Sequence, residues 1–182
     1  MRANARQSDA AHDLNLRRMI VDLQNVIQAL RNELHQYGEM LALLDQQHHL
    51  AEHSGADEIL RSISHINQQS ASIQLARERR QTAQRQLAAA LQQPDRATFS
   101  VLTPLLPDSY QPMVSALVHE NNELLLRVRE RAQANQLLLR RSLELMQRFI
   151  TTLTLEDTPA DAPKAEPVLT LEPTSPLYAA LV

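Results

Sequence analysis

LNLRRMIVDLQNVIQALRNELHQYGEMLALL, residues 14–44, decides the fold. Its apolar residues Leu16, Ile20, Leu23, Ile27, Leu30, Leu34, Tyr37, Leu41 and Leu44 recur at alternating steps of four and three. That spacing lines them up on one side of a helix, and a run this long marks a seam against another helix. Positions between them are mostly polar, among them Asp22, Gln24, Arg31, Asn32 and Gln36. The pattern predicts a helix over about residues 11–50, with residues 1–10 as a polar, flexible lead-in. Gly38 interrupts the helix formers and marks close packing at that point.

Downstream, the pattern lapses over Gln46–His53, and Ser54-Gly55-Ala56-Asp57 supplies a turn with Ser54 or Asp57 as the cap. Ile59, Ile63, Ile66, Ile73, Ala76, Ala83, Leu87 and Leu91 then continue at helical spacing, interrupted by Ser70 and Arg80. This second helix, over about 56–92, follows a short connection and therefore packs back against the first as an antiparallel hairpin. Pro94 ends it. Phe99, Leu102, Leu105 and Leu106 form an apolar cluster that Pro104 and Pro107 confine to one or two helical turns. A third long helix is expected from about Pro112 to Leu153, with Asp108 or Ser109 as its cap. The fold class is thus all-α: an antiparallel bundle or coiled coil of three long helices, with a short helical linker before the last. The helical domain is expected over 11–156, and the Pro-rich stretch 157–182 is expected as a disordered C-terminal tail that ends in the apolar tag Leu177–Val182.

Composition narrows the function. Hydrophobic residues make up 43% of the 182, while aromatics are only 3% and glycines number two, so the core is aliphatic and a phosphate-cradling loop is excluded. A formal net charge of −3 argues against nucleic-acid binding. The absence of cysteine removes disulfides and thiolate catalysis. Neither a signal peptide nor a membrane-inserting run is apparent, which leads to the expectation of a soluble cytoplasmic protein. His48, His49 and His53 cluster with Asp45 and Glu52, but the order needed for a zinc-peptidase helix is missing, and a solvated helix end is the plainer reading. Arg77, Arg79, Arg80 and Arg85 read as a solvated basic helix face. Asn121, Asn122, Arg131 and Asn135 interrupt the third helix's seam, and buried Asn fixes register in helix bundles. No nucleophile–base pair and no cofactor fingerprint is present, so neither an enzyme nor a metal site is expected.

What remains is binding through helical faces. In Asn135–Ile150, NQLLLRRSLELMQRFI, the residues Leu138, Leu139, Leu143, Leu145, Met146, Phe149 and Ile150 form a face too wide for a two-helix seam. Spacing alone favours core packing for it. Its width, the adaptable Met146 and the neighbouring tail favour a surface that receives a partner helix.

Three segments carry a family resemblance. They are the heptad helix with Glu39-Met40-Leu41-Ala42-Leu43-Leu44, the linker Phe99–Pro107 closing in Leu-Leu-Pro, and Glu120-Asn121-Asn122-Glu123-Leu124-Leu125 followed by Asn135–Leu143 and Gln147–Ile150. Over about Leu14–Leu153 the chain resembles the FlgN family of flagellar type III export chaperones. The first hairpin departs from the family in being Gln- and His-rich where members are often more acidic. The resemblance implies a cytoplasmic, non-enzymatic chaperone without cofactor. Its implied partners are the hook–filament junction subunits FlgK and FlgL, bound through their C-terminal helical segments, and the flagellar export gate. It moves the final-helix face toward partner binding. The alternative is a structural coiled-coil protein that forms a homodimer through the same face.

Overall fold

The computed structural model describes residues 2–53 and 55–156, with side chains over 16–53, 55 and 57–152. The expected tail, its apolar tag and Ser54 lie outside these. Helix α1 spans Arg2–His53, α2 Ala56–Ala90, α3 Phe99–Leu102 and α4 Gln111–Glu156, and a single 3-10 turn, Thr103–Leu105, follows α3. No strand occurs among the described residues. The α1 backbone thus begins well before the apolar pattern does.

Helix α1 is the centre of the bundle. It packs along both α2 and α4, which barely touch one another. Two faces of α1 are therefore buried, in two series of heptad spacing. One is Leu23, Leu30, Tyr37 and Leu44; the other is Val26, Glu33, Met40 and Gln47. The second series faces α2 in antiparallel register. The Glu33–Arg80 pair fixes that register, which sets Val26 level with Leu87 and Met40 level with Ile73.

The first series faces α4, and here the helices run parallel. Asn121 Nδ2 donates to the Leu30 carbonyl at 3.1 Å and Asn135 Nδ2 to the Leu44 carbonyl at 2.6 Å, and both pairs are separated by 91 positions. The same offset places Val114 level with Leu23 and Val128 level with Tyr37, all four buried. A constant offset over three heptads means that α1 and α4 keep one register along the contact.

The two ends of the bundle differ. At one end, α2 finishes and α4 begins, and the linker between them closes the core. Leu106 joins Leu23, Val26, Leu87 and Val114, while Leu102 packs on Ala88 and Ala97. Helix α2 stops there in a Schellman arrangement: Gln93 N donates to Ala88 O, Gln92 N donates to Ala89 O, and Gln92 holds φ of 56°. At the other end, α1 turns into α2 through Gly55, which is the N-cap in extended conformation with no side-chain capping bond. Asp57 therefore does not cap that helix as its sequence position suggested.

Two further expectations need correction. Gly38 does not mark a close approach, because a Cβ built on it meets no atom within 4 Å. Arg77 and Arg80 do not belong to a solvated face. Arg80 Nε bonds Glu33 Oε2 at 2.5 Å, and Arg77 Nε bonds the Tyr37 hydroxyl at 2.8 Å, which in turn donates to Glu33 Oε1 at 2.8 Å. A carboxylate only 3% exposed is thereby neutralised within the bundle.

Candidate partner-binding site

The register of α1 against α4 determines where the wide apolar face lies. With an offset of 91, His53, the last residue of α1, stands level with Glu144. Helix α4 continues to Glu156, so the segment 145–156 runs past the end of α1 for about 18 Å at 1.5 Å per residue. The buried clusters stop at Ala132, and the last buried residue of α4 is Asn135. From Arg140 to Thr152 every residue is exposed.

Asn135 marks the change. It is 1% exposed and sits in a polar layer: its Nδ2 donates to Leu44 O and to Gln47 Oε1 at 3.1 Å, and its Oδ1 lies 3.1 Å from His48 Nδ1. Gln47, also 1% exposed, reaches the Ser62 hydroxyl on α2 at 3.4 Å. All three long helices therefore meet in one hydrogen-bonded layer at this end.

Beyond that layer the apolar stripe does not stop. At 100° per residue, Leu138, Leu139, Leu143, Leu145, Met146, Phe149 and Ile150 fall within an arc of about 160°, with Arg140, Arg141, Glu144, Gln147 and Arg148 opposite. The arc continues the line of Val128 and Asn135 that packs on α1. The structure thus separates the seven residues singled out from the sequence. Leu138 and Leu139 are half-buried at the edge of the bundle, whereas Leu143, Leu145, Met146, Phe149 and Ile150 are exposed, Phe149 at 66%. The α4 overhang presents the same kind of side chains that pack on α1 farther back along the helix, at Leu124, Leu125 and Val128.

The remaining candidate residues are placed differently. His49 and His53 stack with ring centroids 4.4 Å apart, and His53 Nδ1 contacts the His49 carbonyl at 3.0 Å. Arg131, expected in the seam, reaches Asp45 at 2.7 Å across the α1–α4 contact. A cleft of about 310 Å³ lies where α2 and α4 diverge, lined by Glu33, Tyr37, Arg77, Arg80, Asn121 and Phe99. Glu33, Arg77 and Arg80 there are already engaged with one another. The sequence reading missed Glu33 and Gln47 as buried residues, since nothing local distinguishes them from the polar residues of an exposed helix face.

No curated protein and no solved structure matches the chain. The family model described as FlgN protein matches residues 19–159, which take in α2, the linker and α4 whole, together with most of α1. With that match over most of its length, on a bundle whose last helix carries its apolar stripe past the core, the chain belongs to the FlgN family, whose members are flagellar export chaperones.

Proposed function

We propose that this chaperone holds the C-terminal helical segments of the hook-associated proteins FlgK and FlgL on the α4 overhang and presents them to the export gate. The observation that carries this reading is the continuation of the core-facing stripe of α4 beyond the end of α1. A client helix laid on Leu143, Met146, Phe149 and Ile150 takes the place that a longer α1 would fill. It buries its own apolar face at the same time, which keeps it from associating prematurely. Binding of this kind requires no covalent chemistry, and its strength is set by a few anchors.

The magnitude follows from exposure. Leu143 is 47% and Ile150 55% exposed. Covering the exposed half of a side chain worth about 1.5–3 kcal/mol contributes about 1 kcal/mol each. Four such anchors contribute about 4 kcal/mol, which alone corresponds to about millimolar before the cost of association, so the apolar face that the client buries in return supplies the larger share of the affinity. Titration calorimetry of a peptide from the C-terminal helix of the client against Leu143→Asp and Ile150→Asp tests the reading. Each substitution is expected to weaken binding at least fivefold while circular dichroism stays helical. Unchanged affinity in both variants refutes the site. If light scattering instead shows a stable dimer at all dilutions that is lost in these variants, the face belongs to a second copy.

A further inference from the structure

The chain continues for 26 residues after Glu156, and this segment, 157–182, shares three properties with the overhang beside it. The first is charge. Asp157, Asp161, Glu166 and Glu172 against Lys164 give it −3, which is the whole net charge of the chain. The end of α4, residues 140–156, carries +1, with Arg140, Arg141 and Arg148 against Glu144 and Glu156. The second is an apolar tag. In Leu177-Tyr178-Ala179-Ala180-Leu181-Val182 the large side chains recur at the i, i+1, i+4, i+5 spacing that shares one side of a helical turn. The third is reach. A Pro-rich linker of about twenty residues extends up to about 60 Å, more than the about 20 Å that separates Leu143 from Glu156 along the helix.

We propose that Leu177–Val182 docks on the Leu143–Ile150 stripe of its own α4, covering it in the free chaperone and giving way to a client. The docking itself does not depend on the function proposed above; only the competition with a client does. A short tag of four large side chains binds weakly, but a tether of this length supplies an effective concentration in the millimolar range. A tag with an intrinsic affinity of about 0.1–1 mM is then docked half the time or more, and lowers apparent client affinity about two- to tenfold.

The chain has no cysteine, so Ala180→Cys provides a unique site for a nitroxide label in the full-length protein. Paramagnetic broadening of the Leu143, Met146 and Phe149 amides is expected, unchanged on dilution, and lost when Leu177→Asp and Leu181→Asp are added to the labelled chain. Broadening that survives both Asp substitutions reflects the tether alone and overturns the proposal. Broadening seen only between an isotope-labelled chain and a separate nitroxide-bearing chain assigns the tag to a second copy and overturns it too. Calorimetry with the client peptide on the Leu177→Asp/Leu181→Asp chain is expected to show two- to tenfold tighter binding. If broadening is present and client affinity is unmoved, the docking stands and the assignment of the client to this face is what fails.

Discussion

Val128 and Phe149 lie three heptads apart on one stripe of α4, and the register of α1 against α4 gives them opposite energetics. Val128 is 0% exposed, in a cluster with Tyr37, Met40, Leu44, Ile66 and Ile73. Val128→Asp removes about 1.5–2 kcal/mol of apolar burial and places a carboxylate inside an apolar cluster, at a further cost of several kcal/mol. The sum, more than about 4 kcal/mol, is a large part of the stability of a typical domain. Phe149 is 66% exposed and level with nothing on α1. Phe149→Asp has nearly neutral helix propensity and forfeits only the covered part of the ring and any contact with the tag, about 1.5 kcal/mol at most. Urea denaturation followed by circular dichroism, with wild type and both variants side by side, reads the difference as a shift in midpoint at constant slope. If Phe149→Asp proves as costly as Val128→Asp, the stripe is buried in the free protein and the overhang is not a binding surface.

Three further outcomes follow from the interior of the bundle. Gly38→Ala is expected to stabilise by about 0.5–1 kcal/mol, because Gly38 has no positive φ and a Cβ there meets open space; thermal unfolding measures the gain. Asn135→Asp replaces the donor that serves Leu44 O and Gln47 Oε1 with a second acceptor, and is expected to cost more than about 2 kcal/mol in the same denaturation assay. Tyr37 has its pKa raised from 10.0 to about 12, first by burial and then by Glu33, with the Arg77 hydrogen bond opposing. A raised pKa favours the neutral phenol in the folded state, so this stability is fully present below pH 10, declines as the unfolded phenol ionises, and is gone above pH 12. Stability measured from pH 9 upward should fall by about 3 kcal/mol more in wild type than in Tyr37→Phe.

The helix count, the hairpin and the wide face were legible because each rests on local periodicity. The two-sided burial of α1 was only half legible. Its series Leu23, Leu30, Tyr37, Leu44 is apolar throughout, whereas Val26, Glu33, Met40, Gln47 includes two polar members. Glu33 is buried because Arg77 and Arg80 meet it, and Gln47 because Ser62 and Asn135 do. Except for Ser62, those partners lie more than forty positions away, so no window of sequence contains both halves of the explanation. Leu16 began the apolar pattern yet is 43% exposed, since α4 starts at Gln111, which the offset places level with residue 20. The same geometry resolves the candidate site. Spacing showed that the face was wide, but only the offset between two helices that are distant in sequence showed that its second half has no α1 beside it.

The polar layer at Gln47, His48 and Asn135 gives that geometry a purpose. A bundle that ended in an apolar layer would pack onto whatever occupied the overhang, and loading a client would then rearrange the core. Here the last shared layer consists of directional hydrogen bonds among α1, α2 and α4, satisfied within the chain. Such bonds fix register and cost free energy when broken, so the layer holds whether or not the stripe beyond it is covered. The opposite end, closed by Leu102 and Leu106 from the linker, needs no such separation because the chain supplies its own apolar plug. Binding on the overhang is therefore decoupled from folding of the bundle. Under the proposed function, a client would gain the burial of the exposed halves of a few side chains and lose only that on release, which would keep its exchange within reach of competing contacts of similar size.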